Sequence, residues 1–118
     1  MNDLVLWHNP RCSTSRQALT LLRERGVEPR LVLYLDTPPT VMQLERVLGL
    51  LGLEPRELMR AKEAVYREAG LDDPTLDRPT LIAAMAANPI LIQRPLAISG
   101  DRAALGRPPE RVLDLLPA

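Results

Sequence analysis

The first sixteen residues constrain the fold most, because they place the only cysteine between a short apolar run and a helix start. The run Leu4-Val-Leu-Trp7 is followed by His8-Asn-Pro-Arg-Cys-Ser-Thr-Ser-Arg16. An apolar run bounded by polar residues is typical of a buried strand, and Ser and Thr are typical of a helix N-terminus. The sequence therefore predicts a strand, a short turn and a helix, with Cys12 at the junction between turn and helix.

The position of Cys12 favours an ionised thiol. The first backbone N–H groups of a helix lack partners within the helix and carry the positive end of its dipole, so they stabilise a neighbouring anion. Only the thiolate is a nucleophile, and such surroundings lower the pKa of the thiol. A buried, inert cysteine is the alternative, but the flanking Arg, Ser and Thr residues disfavour apolar burial. We therefore expect Cys12 to be reactive.

Composition excludes several classes of protein. A length of 118 residues suits one domain, and 15 basic against 15 acidic residues give no net charge to attract nucleic acid or an anionic membrane. A single cysteine allows no internal disulfide, and His8 as the only histidine disfavours a zinc site. The apolar run Leu4–Trp7 is too short for a signal peptide. We expect a cytoplasmic monomer with no bound cofactor, metal, nucleic acid or membrane.

The rest of the chain alternates between helix and strand patterns. A helix is predicted at about 14–25, a buried strand at 31–35, helices at 41–51, about 55–69 and about 79–87, strand segments at 90–92 and 96–99, a returning strand at 103–105 and an amphipathic helix at 110–116.

This order of elements predicts the fold class. A β-α-β half, a helical stretch and a β-β-α half together are typical of an α/β thioredoxin-like fold with a four-stranded mixed sheet. The sequence thus predicts a single domain over residues 1–118 with a helical insertion at about 40–88. In this fold the reactive thiol lies between the first strand and the first helix, where Cys12 lies.

Two polar residues near Cys12 are candidates for tuning its thiol. Cys12-Ser-Thr-Ser15 has the spacing of a redox C-x-x-C motif, but Ser15 replaces the second cysteine, so any disulfide must involve an outside thiol such as glutathione. Ser15 either donates a hydrogen bond to the thiolate or serves as an ordinary capping residue. His8 acts as a nearby cation, moves a proton or fills an ordinary structural position. A phosphatase-type C-x5-R loop is disfavoured, because residue 18 is Ala.

Three arginines are candidate ligands for an oxyanion. Arg94 and Arg107 each precede a proline, which restricts the backbone before it and so gives each arginine a defined direction. A cis-proline before the third strand of a thioredoxin-like fold faces the thiol, so Arg94 is expected to point at Cys12. Arg60, expected within the helix after Pro55, would approach from another side. Planar guanidinium groups suit a tetrahedral oxyanion, although most arginines in any chain are solvated surface residues.

Motifs along nearly the whole chain resemble the glutaredoxin-dependent arsenate reductases of the ArsC type, in their short chromosomal branch. The matching segments are His8-Asn-Pro-Arg-Cys-Ser-Thr-Ser-Arg16, Gly26-Val-Glu-Pro29, Tyr34-Leu35 with Pro38-Pro39, Arg56-Glu-Leu-Met-Arg60 with Glu63 and Tyr66, Leu81-Ile82 with Met85, Asn88-Pro-Ile-Leu-Ile92, Arg94-Pro95, and Arg107-Pro-Pro-Glu110 with Val112-Leu113.

The resemblance implies an activity and a role for each candidate residue. The thiolate of Cys12 would attack arsenate, and the arsenate would be held by arginines at the matching positions 60, 94 and 107. Glutathione would act as co-substrate, and glutaredoxin would complete the reduction to arsenite. His8 and Ser15 match the positions that tune the thiol in this family.

Two other functions remain open. Regulators of the Spx type share this fold and bind the α subunit of RNA polymerase, but they usually carry a C-x-x-C switch, which Ser15 removes here. The zero net charge gives no sign of direct DNA contact. A glutathione-linked monothiol oxidoreductase would use Cys12 without any oxyanion substrate, and its activity would not depend on the three arginines.

Overall fold

The computed structural model describes residues 4–117, which fold into four strands, five α-helices and two 3₁₀ segments. In chain order these are β1 Leu4–Trp7, α1 Ser13–Glu24, β2 Arg30–Val32, α2 Val41–Leu51, α3 Pro55–Leu58, α4 Ala64–Glu68, α5 Arg78–Ala87, a 3₁₀ segment Pro89–Leu91, β3 Leu96–Ser99, β4 Arg102–Leu105 and a second 3₁₀ segment Pro109–Leu115.

The four strands form one mixed sheet in the order β2-β1-β3-β4. β1 runs parallel to β2 and antiparallel to β3, and β3 runs antiparallel to β4. The parallel pair is connected through α1, while β3 and β4 form a hairpin whose turn contains Gly100 at a φ of +60°. This is the predicted thioredoxin-like fold, and β1 has the predicted bounds Leu4–Trp7.

The described chain divides into two compact units. Residues 4–37 and 94–117 form the first unit, which contains the sheet and α1, and residues 38–93 form the second, helical unit. The expected single domain over 1–118, with its insertion at about 40–88, stays a prediction, and its first three residues and its last lie outside the described residues.

The core of the first unit fixes α1 against the sheet. Ala18, Leu19 and Leu22 form the buried face of α1, as their helical spacing predicts. They join a cluster of buried side chains from the strands and the last 3₁₀ segment, comprising Leu4, Leu6, Ala97, Ala104, Val112 and Leu115. Burial of each large aliphatic side chain contributes about 1.5–3 kcal/mol to the free energy of folding. The packing of this buried face therefore fixes the position of α1, including its N-terminus.

The second unit is built on helices with defined ends. Thr40 caps α2 with a full capping box: its hydroxyl accepts from the backbone N–H of Gln43, whose side chain accepts from the backbone N–H of Thr40. Gly52 ends α2 in the left-handed conformation. The side chain of Asp77 caps α5 by accepting from the backbone N–H of Thr80. The predicted helices at 41–51 and 79–87 are thus confirmed, with α5 beginning one residue earlier, at Arg78.

The predicted helix from Pro55 to about residue 69 is wrong. α3 ends at Leu58, Met59 is extended and pairs with Ile92 in an antiparallel bridge, and α4 begins only at Ala64. The backbone N–H of Arg60 donates to the carbonyl of Leu91, with an N···O distance of 2.7 Å. A pairing with a segment distant in sequence overrides the local helical pattern here. Arg60 therefore lies outside a helix, contrary to the prediction.

Three further elements differ from the sequence prediction. β2 is shorter than the predicted strand 31–35, and Leu31 is 37% exposed instead of buried, because β2 is an edge strand. Residues 89–91 form a 3₁₀ segment instead of a strand. The last helix is also 3₁₀, since Arg111 N–H donates to the Pro108 carbonyl and Leu116 N–H to the Leu113 carbonyl, each three residues back.

Candidate active site

Cys12 is the N-cap residue of α1, at the predicted junction of turn and helix. Its backbone is extended, with φ −95° and ψ 123°, and its carbonyl accepts the helical hydrogen bond from Arg16 N–H at 3.0 Å. Its own N–H donates to the Asn9 carbonyl at 3.0 Å, which closes the turn after β1. The thiol is therefore presented, half-buried, at the positive end of α1.

The surroundings of Cys12 favour its thiolate. Burial alone raises the pKa of the thiol, but the backbone N–H of Ser15 and the charge of Arg94 lower it. A backbone hydrogen bond from Thr14 and a side-chain hydrogen bond from Arg94 act in the same direction, so the pKa of Cys12 lies below its ordinary value. Donors of this kind stabilise the charged form, which is the nucleophilic form.

Ser15 supports the thiol through its backbone, while its hydroxyl is used elsewhere. The side chain is fully buried, and its Oγ accepts from Asn9 N–H at 3.1 Å and lies 2.7 Å from Nδ1 of His8. Its backbone N–H is the one hydrogen-bonded to Cys12. The hydroxyl of Ser15 therefore connects the turn after β1 to α1. Of the two roles that the sequence left open, the backbone N–H has that of a donor to Cys12, and the side chain has a structural one.

His8 is buried and favours its neutral form. Burial lowers the pKa of His8, and the positive charges of Arg23 and Arg16 lower it further. The Ser15 hydroxyl has one proton to donate and two lone pairs to accept, so it can pair with Nδ1 of His8 in either tautomer of the neutral ring while accepting from Asn9 N–H. Of the roles considered for His8, the cationic one requires a protonated ring, which these surroundings disfavour.

Arg94 and Arg107 contact one another in the first unit, and Arg94 lies near the thiol. Arg94 lies near enough to Cys12 for its charge and a side-chain hydrogen bond to lower the pKa of the thiol, and Nη1 of Arg107 donates to the Arg94 carbonyl at 3.1 Å. The Arg94–Pro95 and Arg107–Pro108 peptide bonds are both cis. Within residues 4–117, the buried Nε of Arg94 has no hydrogen-bond partner. A buried donor left unpaired costs stability.

Arg60 belongs to the second unit, where its contacts hold it in place. Nη2 lies 2.9 Å from Oε2 of Glu63, and Nη1 donates to the Ile90 carbonyl at 3.4 Å. The backbone segment 58–60 is hydrogen-bonded to segment 91–93, which runs directly into Arg94 along the chain. Of the predicted site residues, the structure thus gathers five in the first unit and holds Arg60 in the second.

Arg16 is a residue near the site that the sequence analysis did not select. Its Nη1 donates to the Pro10 carbonyl at 2.9 Å, so it fixes the turn that carries Cys12. Its charge also contributes to the lowered pKa of His8. The only signal in the sequence was the position of Arg16, four residues after Cys12. In a chain with many arginines, this position alone did not mark Arg16 as a site residue.

The described residues 4–117 offer no group of three or more His, Cys, Asp or Glu side chains placed to hold a metal ion. None of the helices in this same range is long and apolar enough to cross a membrane.

A thioredoxin-like fold with a single cysteine at the start of its first helix and Arg94 near that cysteine defines the class of single-cysteine thioredoxin-like proteins. Comparison with known families identifies the family, because the profile of the ArsC family matches residues 7–115. The chain belongs to the ArsC family.

Individual relatives agree with this assignment. The uncharacterized protein YfgD of Escherichia coli (strain K12) is 49% identical over 115 residues, which cover 97% of each chain. An arsenate reductase of Neisseria meningitidis serogroup A is 46% identical, covering 95% of this chain and 97% of the relative. The solved structure of an arsenate reductase from Vibrio cholerae is 46% identical, covers 98% of each chain and superposes with a TM-score of 0.94.

Proposed function

We propose that the protein is an arsenate reductase in which Cys12 is the nucleophile. The observation that carries the proposal is the position of Cys12 at the N-cap of α1, near enough to Arg94 for this arginine to lower the pKa of the thiol. A stabilised thiolate near a permanently charged donor suits attack on an oxyanion. Relatives named arsenate reductase over nearly the full length of the chain support arsenate as that oxyanion.

The arginines would bind arsenate before the reaction. Arg94 would bind the anion through its guanidinium group, and Arg107 is held beside Arg94 through the Arg94 carbonyl. Arg60 is proposed as the third ligand on the resemblance to the ArsC family, in which an anion-binding arginine stands at the matching position. Charge-assisted hydrogen bonds from several guanidinium groups would offset the negative charge that otherwise repels a thiolate from arsenate.

The first covalent step forms a bond between the Cys12 sulfur and arsenic, and one arsenic–oxygen bond breaks as that oxygen leaves as water. The thiolate of glutathione then forms a second sulfur–arsenic bond, releasing a further oxygen as water. Arsenic is still pentavalent at this stage. The thiolates of Cys12 and glutathione therefore act as nucleophiles in these two steps. Electrons reach arsenic only in the next step, when an outside thiol attacks.

The reduction step transfers one electron pair to arsenic. A glutaredoxin thiolate attacks the glutathione sulfur, a mixed disulfide forms, and the pair from the glutathione–arsenic bond stays on arsenic, which becomes trivalent. Water then displaces Cys12 and releases arsenite. The two electrons come from the two outside thiols, which suits a chain with one cysteine. Glutathione is thus a co-substrate, and we place the reaction in the reducing cytoplasm.

His8 and Ser15 would act on this reaction by positioning the thiol. The Ser15 hydroxyl bonds to His8 and to the N–H of Asn9, and its backbone N–H bonds to Cys12. Because its hydroxyl bonds hold Ser15 in place, the backbone N–H of Ser15 stays in position to donate to the thiolate. We propose that neither side chain needs to contact arsenate.

The proposal is tested by NADPH-coupled arsenate reduction with glutathione, glutathione reductase and glutaredoxin. Cys12→Ser should show no activity, and Arg94→Ala should lower kcat/KM by roughly a hundredfold or more, the usual effect of losing one charge-stabilising donor. Arg25→Ala is the matched control, because Arg25 is exposed at the other end of α1. Normal turnover by Cys12→Ser would contradict the proposal. If wild type shows no arsenate turnover, and thiol–disulfide exchange between Cys12 and glutathione is the same in wild type and Arg94→Ala, the protein is a monothiol oxidoreductase instead.

A further inference from the structure

Gly106 lies just beyond the sheet, at a position with no room for a side chain. It follows β4 directly, and the register that pairs Leu96 with Leu105 places it opposite Pro95. The backbone N–H of Gly106 donates to the Pro95 carbonyl at 2.8 Å. A Cβ atom on Gly106 would lie 2.7 Å from Cγ of Pro95 and 3.0 Å from Cγ1 of Val112. Carbon atoms that are not bonded pack at about 3.5–4.0 Å, so an added methyl group must displace a neighbour.

Both neighbours of Gly106 are themselves packed. Val112 is fully buried in the core cluster of the first unit, and Pro95 is buried immediately before β3. A close-packed interior passes a change of volume on to the atoms around it. Cγ of Pro95 belongs to a closed ring, so beyond a change of ring pucker it moves only together with the backbone. A side chain at residue 106 would therefore push the backbone of Pro95.

The backbone that would move carries Arg94, the residue directly before Pro95. Nη1 of Arg107, which follows Gly106, donates to the Arg94 carbonyl at 3.1 Å, so two hydrogen bonds join segment 94–95 to segment 106–107. All of these residues and Cys12 belong to the first unit.

We propose that Gly106 is a positioning residue for the reaction: the absence of a side chain there lets Pro95 pack closely and so holds Arg94 near Cys12. This inference deepens the proposed function, since it takes the side chain of Arg94 to act at the thiol. Gly106 itself needs no contact with any reacting atom.

The test compares the pH dependence of Cys12 alkylation by iodoacetamide in wild type, Gly106→Ala and Arg94→Ala. The charge and hydrogen bond of Arg94 lower the pKa of this thiol, so displacement of Arg94 should raise the pKa. Gly106→Ala should shift the profile in the same direction as Arg94→Ala and by no more. At a pH below the pKa of the wild-type thiol, its alkylation should be at least about threefold slower, which corresponds to a rise of about half a unit in the pKa.

The double variant Gly106→Ala/Arg94→Ala separates an effect through Arg94 from a general loss of structure. Two changes that act through one group are not additive, so the double variant should have the profile of Arg94→Ala alone. If Gly106→Ala causes the same shift with and without Arg94, Gly106 acts by another route and the inference is overturned.

Gly49→Ala is the matched control, because Gly49 lies within α2 and an added Cβ would have no atom of the described residues within 4 Å. Its profile should coincide with that of wild type. If the profile of Gly106→Ala also coincides with wild type, the inference is wrong and the proposed function stands. If wild type reduces no arsenate although Gly106→Ala shifts the profile, the proposed function fails and the positioning of Arg94 by Gly106 stands.

A further variant keeps the test decisive if Gly106→Ala does not fold, which urea unfolding shows. Gly106→Ala/Val112→Ala removes the atom at 3.0 Å, so that the backbone at residue 106 can shift away from Pro95. This variant should fold and have a profile close to that of Val112→Ala alone. A profile that instead coincides with that of Arg94→Ala would show that crowding against Pro95 is not the cause and would contradict the inference.

Discussion

At the scale of single residues, the site depends on donors that converge on Cys12. Two of them are backbone N–H groups, supplied by Thr14 and Ser15, and one is the side chain of Arg94. The backbone donors follow from the position of the thiol at a helix start, so any residue type other than proline in the first turn would provide them. Arg94 is the donor that depends on a specific side chain.

Replacement of Arg94 by Ala should raise the pKa of the Cys12 thiol. The variant loses both the positive charge and the hydrogen bond that lower this pKa, while the burial that raises it remains. The rate of iodoacetamide alkylation should fall at neutral pH and stay unchanged at alkaline pH, where the thiol is fully ionised in both proteins. Arg25→Ala should leave the whole profile unchanged. Superimposable profiles for wild type and Arg94→Ala would show that Arg94 does not act on the thiol.

Replacement of Ser15 by Ala should destabilise the protein. The variant leaves the buried Nδ1 of His8 and the N–H of Asn9 without their shared partner, and an unsatisfied buried group costs about 1–3 kcal/mol. Urea unfolding measures the loss. Ser13→Ala is the matched control, since Ser13 is exposed on the first turn of α1. Equal unfolding free energies for the two variants would contradict the assigned role of the Ser15 hydroxyl.

At the scale of secondary-structure elements, prediction from sequence succeeded where local signals decide the structure. The apolar run of β1, the helical spacing of Ala18, Leu19 and Leu22, and the cap at Thr40 were each visible in a few neighbouring residues. The thioredoxin-like fold followed from the order of these elements. The placement of Cys12 at the start of α1 followed from the same signals.

Prediction failed where distant segments pair. The break between α3 and α4 depends on the bridge from Met59 to Ile92, which no local pattern reveals. The exposure of Leu31 depends on β2 being the edge strand, which is a property of the whole sheet. The bond between the Ser15 hydroxyl and His8 likewise depends on how α1 packs behind β1. The roles proposed for the six site residues stay predictions.

The capping box of α2 gives a prediction at this scale. Thr40→Ala removes the hydroxyl that accepts from Gln43 N–H, so the free energy of unfolding should fall by about 1 kcal/mol. Thr20→Ala is the comparison, because Thr20 lies exposed within α1 and caps nothing among the described residues. Chemical denaturation of both variants measures the difference. A Thr40→Ala protein as stable as wild type would mean that α2 does not need this cap.

At the scale of the whole molecule, the buried His8 links stability to pH. Its pKa in the folded protein is below the ordinary value of 6.5, so the unfolded chain binds a proton first as the pH falls. The free energy of unfolding should therefore decrease as the pH is lowered through about 6.5. Glu28, Asp73 and Asp77 have lowered pKa values too, but their contributions are lost only at more acidic pH, below the ordinary carboxyl values of 4.5 and 3.8.

The measurement is urea unfolding of wild type and His8→Asn over a series of pH values. Wild type should lose stability between neutral and mildly acidic pH, whereas the variant should show little change in that window, whatever its absolute stability. A variant with the same slope as wild type would assign the pH dependence to other groups and contradict the neutral, buried state of His8.

The central claim is that Cys12 binds an oxyanion covalently while outside thiols supply the electrons that reduce it. The most direct test quantifies arsenite by chromatography after incubation of the protein with arsenate, glutathione, glutaredoxin, glutathione reductase and NADPH. The account predicts arsenite in proportion to the NADPH consumed, and none with Cys12→Ser, because no other cysteine is present in the chain. Equal arsenite formation by wild type and Cys12→Ser, or none by wild type, would contradict it.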